Sequence, residues 1–203
     1  MSDPHAASPR TPEEPMAFDG GEFASGAARA VALHVALFAI ASVLLGLAHG
    51  VASMIDEPGR ASSALSGAFS VSMLVMIYAV PISLLALLIG VCPAYMLGRW
   101  MVRIAAFRIH FLAWCAFGIV FCGAVSFAVA RILHVDQLTP LPAFVIAGFV
   151  SGATAIPLAW ARTASLALRK DRGLKPLRWF RRRPGGSVSV DVGSPGPVQH
   201  GDR

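Results

Sequence analysis

The chain has 203 residues, of which 56% are apolar and only 14% charged, and it carries a net charge of +6. An average globular domain has about 25% charged residues, so this composition excludes an ordinary water-solvated domain and points to a chain solvated largely by lipid. The three cysteines, Cys92, Cys115 and Cys122, lie in apolar runs without metal-knuckle spacing or an even-numbered disulfide framework, and are expected to be buried thiols acting as small hydrophobes.

Met1 to Arg29 is polar, with prolines at 4, 9, 12 and 15 and acids at Asp3, Glu13, Glu14, Asp19 and Glu22. A cytoplasmic N-tail over 1–29 that buries no core is predicted to be disordered. It does not read as a signal peptide, which opens with a short basic region and a short apolar core.

Residues 30–161 form the expected membrane domain: all-α, an integral membrane four-helix bundle with disordered N- and C-terminal tails. The spans are placed at about 30–54, 73–97, 110–130 and 143–161. No charged residue interrupts the first between Arg29 and Asp56. Ser42, Gly46 and Gly50 lie at spacing four within it, and Gly46 and Gly50 make the GxxxG pattern that lets two backbones approach in lipid. Asp56-Glu57-Pro58-Gly59 stops the helix.

Ala61 to Ser72 is serine-rich and reads as a surface segment leading into the second span. No charge lies between Arg60 and Arg99, far more than the roughly 20 residues a helix needs to cross a bilayer. Pro81 and Pro93 remove hydrogen bonds to the carbonyls of Ile77 and Ile89, so each is expected to kink the helix or lean on a neighbour. Ala79, Ser83, Ala86, Gly90, Ala94 and Gly98 form a small-residue face, the predicted packing seam. Tyr95 and Trp100 suit the interface level.

Arg99 to His110 is a basic connection with Trp100, Ile104 and Phe107 at helical spacing. The third span, short enough to stand nearly upright, carries Gly118, Cys122, Ser126 and Ala130 at spacing four. Arg131, His134 and Asp136 follow in a polar loop that ends at Pro140 and Pro142, which suit the start of a helix. In the fourth span Gly148 and Gly152 make a second GxxxG beside Ala147, Ser151 and Ala155, and Trp160 marks the far interface. A basic juxtamembrane segment over 162–183 and a disordered C-tail over 184–203 complete the chain.

Of the 17 Lys and Arg, only Arg60 and Arg131 fall outside the cytoplasm if both termini lie inside. The positive-inside rule therefore selects a multi-pass protein of the plasma (inner) membrane with cytoplasmic N- and C-termini.

Chemistry is sparse. His34 and His49 are the intramembrane polar candidates, since ionisable groups at membrane depth default to functional ones; the plainer reading is a hydrogen bond to a neighbouring helix or a reach to the interface. They are 15 residues apart, roughly 22 Å along a helix, and cannot share a metal. Arg131, His134 and Asp136 could make an acid–base cluster, although a solvated loop fits them better. Ser126 and Ser151 have no evident His or Asp partner, so no nucleophile system is read. Cys115 and Cys122 share a helix face but are not read as a metal or redox pair.

Gly46, Gly50, Gly90, Gly118, Gly148 and Gly152 are the expected helix-packing positions. Arg169, Lys170, Arg172, Lys175, Arg178, Arg181, Arg182 and Arg183, with Trp179 and Phe180 among them, are the expected lipid-headgroup contacts. The expected partners are a bilayer with anionic headgroups and a protein partner or a second copy, with no nucleic acid and no cofactor. Function reads as an interaction or accessory subunit rather than an enzyme. The alternatives are a small transporter or channel subunit acting as an oligomer and, behind it, a membrane enzyme acting on lipid.

Overall fold

A computed structural model describes residues 8–56, 61–134 and 141–172 of the chain. Among them there are four helices and no strand: α1 Gly20–Asp56, α2 Ala61–Met101, α3 Phe107–Ile132 and α4 Leu141–Asp171. Each is long and apolar enough to cross a bilayer, because the charge-free runs leave every residue between their ends compatible with hydrocarbon. The protein is an all-α multi-pass membrane protein built as a four-helix bundle.

The helices outrun the expected spans. The fourth, expected to end at Ala161, continues to Asp171, so Arg162, Arg169 and Lys170 ride on helical turns rather than on a separate segment. The second begins at Ala61 and has 41 residues, about 60 Å at ~1.5 Å per residue; 61–72 are helix, not a surface lead-in. Serine there is tolerated because its hydroxyl can bond within the helix, as Ser70 Oγ does to Ser66 O (2.9 Å).

The first helix begins at Gly20, ten residues before the expected span. Asp19 caps it: its Oδ1 accepts from the Glu22 N–H at 2.7 Å, and Phe18 stacks on Phe23 with centroids 5.8 Å apart. An Asp N-cap bonded to the N3 amide, plus an apolar pair flanking the first turn, is a capped helix start with a hydrophobic staple. The expectation of a disordered tail through Arg29 therefore does not hold for 8–29. Composition argued for disorder there, but local capping and a docked ring supply the order.

Apolar side chains such as Phe38, Trp114 and Phe144 are buried, but so are small polar ones, and many large apolar ones are not. The buried polar side chains include Ser42, fully enclosed, with Ser72 and Ser151, while Leu44, Ile77, Leu88, Leu112, Val120 and Phe127 are exposed. Between helices in lipid the gain comes from close backbone approach, not from hiding leucine. Ser72 Oγ donates to Ser42 O at 3.1 Å, joining α2 to α1. Gly46 and Gly50 are buried and share the helix face of Ser42. At Gly118 α3 lies against the backbone of α4, where a Cβ would stand 3.0 Å from Ala153 O. Pro157 lies inside α4, four residues after Ala153, and cannot donate to that carbonyl. The bend-prone point of α4 thus coincides with this backbone approach.

The arrangement is a row folded on itself. α1 packs against both α2 and α4, and α3 packs on α4, but α2 and α3 scarcely touch. One side of the bundle is open.

Candidate functional site

The open side forms a groove of about 560 Å³, within the size range of ligand pockets. α1 and α4 make its floor, and α2 and α3 its walls. It runs from Arg10, Met16 and Phe18 at one end to Leu74, Leu133 and Leu141 at the other. Along α2 that is about 36 Å, from Leu74 to Gly98, so the groove follows the full depth of a hydrocarbon core of roughly 30 Å.

The small-residue face of α2 lines this groove from Ala79 to Gly98. It is expected to be a helix-packing seam, and at Gly90 and Gly98 what meets it is an aromatic ring. A Cβ at Gly90 would stand 2.7 Å from the tip of Phe121, a ring of α3, and one at Gly98 would meet the Phe18 ring at 2.9 Å. Phe121 is itself stacked on Phe117, with centroids 5.5 Å apart. A missing side chain on α2 thus admits a ring where a second backbone does not follow.

One end of the groove is stoppered by the N-terminal segment. Met16 N–H donates to Val102 O at 3.1 Å. Phe18 and Phe23 both meet Tyr95 edge-on, at 5.7 and 5.4 Å. Arg10 bonds Glu22 at 2.8 Å and Asp171 at 2.8 Å, with its side chain only 12% exposed. One guanidinium therefore ties the start of α1 to the end of α4. A few turns deeper, Arg29 Nη1 donates to Thr163 Oγ1 at 2.9 Å, against Gly26.

The floor holds one polar cluster. His34 of α1 has its Nε2 3.0 Å from Ser83 Oγ of α2 and its Nδ1 3.0 Å from Ser151 Oγ of α4. Ser83 also donates to Ala79 O at 2.7 Å, and Ser151 to Gly148 O at 3.0 Å. His34 and Ser83 line the groove; Ser151 is buried behind them. Ser151, read from sequence as having no histidine partner, has one. Gly152 makes room beside it, since a Cβ there would meet Cys122 Sγ at 2.7 Å and His34 Nδ1 at 3.6 Å. Gly148, by contrast, has ordinary clearance to Phe38 at 3.6 Å.

The remaining sequence candidates lie elsewhere. His49 is exposed on α1, its carbonyl accepting from Ser53 Oγ at 3.0 Å, and it does not line the groove. Arg131 and His134 are exposed beyond the end of the α3 packing surface, and His134 has φ 48°, a left-handed residue following the Leu133 cap. Asp136 lies outside the described residues. So do Lys175, Arg178, Arg181, Arg182 and Arg183, together with residues 1–7 and the tail over 184–203; Arg172 directly follows α4. The three cysteines are unbridged thiols, and no group of His, Cys, Asp and Glu among the described residues is placed to hold a metal.

His110, which the sequence marked only as the end of a basic connection, has a structural task. It is buried, donates from Nε2 to Ile104 O at 2.7 Å, and stacks on Trp160 at 5.5 Å and 2°. It fastens the turn between α2 and α3 onto α4.

The fold and its lateral groove define a class: a polytopic membrane bundle with an intramembrane cleft. Compared with protein-family models, curated proteins and solved structures, the chain matches none.

Proposed function

We propose that this chain is a small accessory protein of the plasma (inner) membrane, both termini cytoplasmic, that works by holding one apolar chain in the groove between α2 and α3. The observation that carries this reading is the groove itself: apolar, bundle-long, and walled by rings rather than by a fourth helix-to-helix seam. A membrane protein that only braced itself would close that side with the small-residue face of α2.

Two features argue against the alternatives. Carriers coupled to ions usually keep a carboxylate at membrane depth, and the charge-free runs contain no carboxylate. An acyl hydrolase built on Ser83 and His34 needs donors for an oxyanion, but α2 is continuous helix around Ser83, where backbone N–H groups are committed to helical carbonyls.

The test is native mass spectrometry of the purified protein after exchange into a mild detergent. One retained acyl-chain adduct per protein is expected, and Ala86→Phe or Ala94→Phe, which fill the groove from α2, should abolish it. Retention unchanged by both substitutions would sink the reading.

The orientation and the basic segment belong to the same proposal. Reporter fusions after Arg60 should read extracytoplasmic and those after Arg108 cytoplasmic. Arg169, Lys170 and Arg172 lie at the end of α4, and Lys175, Arg178, Arg181, Arg182 and Arg183 follow in sequence, a basic run suited to anionic headgroups at about 1 kcal/mol per residue.

A further inference from the structure

The cluster in the groove floor has more contacts than protons. Backbone carbonyls only accept, so Ser83 spends its hydroxyl proton on Ala79 O and Ser151 spends its own on Gly148 O. With both protons placed there, each contact to His34 must be donated by the imidazole. A neutral imidazole carries one N–H, so three protons serve four contacts. In either tautomer one hydroxyl must choose between its carbonyl and the ring nitrogen.

A fourth proton could come from ionising His34, but nothing nearby would balance the charge. The groups facing it are the Ser83 hydroxyl from α2, the Ser151 hydroxyl from α4, the Phe38 ring one turn on in α1, and the Cys122 thiol of α3 across Gly152. The runs between Arg29 and Asp56, Arg60 and Arg99, and Arg108 and Arg131 hold no acid, nor does α4 before Asp171. An unpaired cation at membrane depth is expensive. If Ser83 turns its proton to His34, Ala79 O loses that donor, and a neutral O–H from outside can donate to it without that cost; Ala79, His34 and Ser83 all line the groove.

We propose that the His34–Ser83 position is a polar binding site for a long-chain lipophile ending in an O–H, the alkyl chain lying along the groove and the O–H completing the His34 cluster. A protonated fatty acid and a fatty alcohol share this chemistry; an ester of the same chain lacks the donor. This rests on the groove reading above and specifies the group that reads the ligand's end.

The experiment uses the full chain in detergent with radiolabelled palmitic acid, competed by hexadecanol and by methyl palmitate, each dosed as a mole fraction of the micelle. Palmitic acid and hexadecanol should bind about tenfold more tightly than methyl palmitate, the scale of one buried hydrogen bond left unmade. His34→Leu should bring all three to the methyl palmitate value while keeping chain binding. Equal affinity of the three on the unaltered protein overturns the O–H site and leaves the groove standing. A preference that survives His34→Leu also overturns it. Failure of all three to bind overturns the groove as well. The comparison on the unaltered protein stands whether or not the leucine variant folds.

Discussion

The α3–α4 seam and the α2–α3 side use the same residue type to opposite ends. At Gly118 the absent side chain lets α3 lie against the backbone of α4. At Gly90 and Gly98 it opens a slot that Phe121 and Phe18 enter. A stripe of small residues thus marks where something comes close, not what comes. Backbone cannot retreat, whereas the tip of a ring can rotate into a neighbouring groove, so the two sides should respond differently to added bulk.

The sharpest break of that comparison is Gly118→Leu. It drives four carbons into Ala153 and the proline-freed carbonyl, and should cost roughly 3 kcal/mol, read as a large fall in thermal stability in detergent. Ala153→Gly should not rescue it, because the obstruction is backbone. Tolerance of leucine at 118 would mean that α3 and α4 are not locked there.

Gly90→Leu should cost less, about 1–2 kcal/mol, and Phe121→Ala should recover most of it in the double variant. A double-mutant cycle with no coupling would remove Phe121 from the slot.

Arg10→Ala comes next, with a loss of about 1 kcal/mol, at the upper end for ion pairs near a surface. Its clearer signature is local: a cysteine placed at Met16 should react with a water-soluble maleimide several-fold faster in the Arg10→Ala background. Equal rates would show that the guanidinium does not hold the segment down.

The smallest effect is expected at Gly148→Ala, within about 0.5 kcal/mol, since the clearance to Phe38 is ordinary. The sequence puts Gly148 and Gly152 in one GxxxG, but the structure gives them unequal surroundings: Gly152 faces Cys122 at 2.7 Å and Gly148 does not face any atom so closely.

The spans were legible because charge is costly in hydrocarbon: Arg29, Asp56, Arg60, Arg99, Arg108 and Arg131 bracket them without ambiguity. Their ends were less so, because an apolar scale does not tell helix in lipid from helix in water, and α4 runs on through Arg162 and Arg169. The start of α1 carried a readable signal in Phe18-Asp19-Gly20-Gly21-Glu22-Phe23, outweighed by the prolines before it. The site could not be read. Ser83 and Ser151 meet His34 across separations of 49 and 117 residues, and nothing local in a serine on a helix announces a partner that distant. That α2 and α3, adjacent in the chain, would be the pair left apart was equally invisible, since small residues on α2 fit either outcome.

The stopper at the groove's end also sets an order in time. Arg10 reaches a partner 161 residues downstream, at Asp171, and Met16 waits for Val102. At synthesis rates of about 5–20 residues per second, the ribosome needs on the order of ten seconds to deliver Asp171 after Arg10 has emerged. Arg10 is therefore made long before its second partner and completes its contacts late. The contacts to Tyr95 and Val102 need only α2 and the residue after it, whereas the Arg10–Asp171 pair closes last, once α4 is complete.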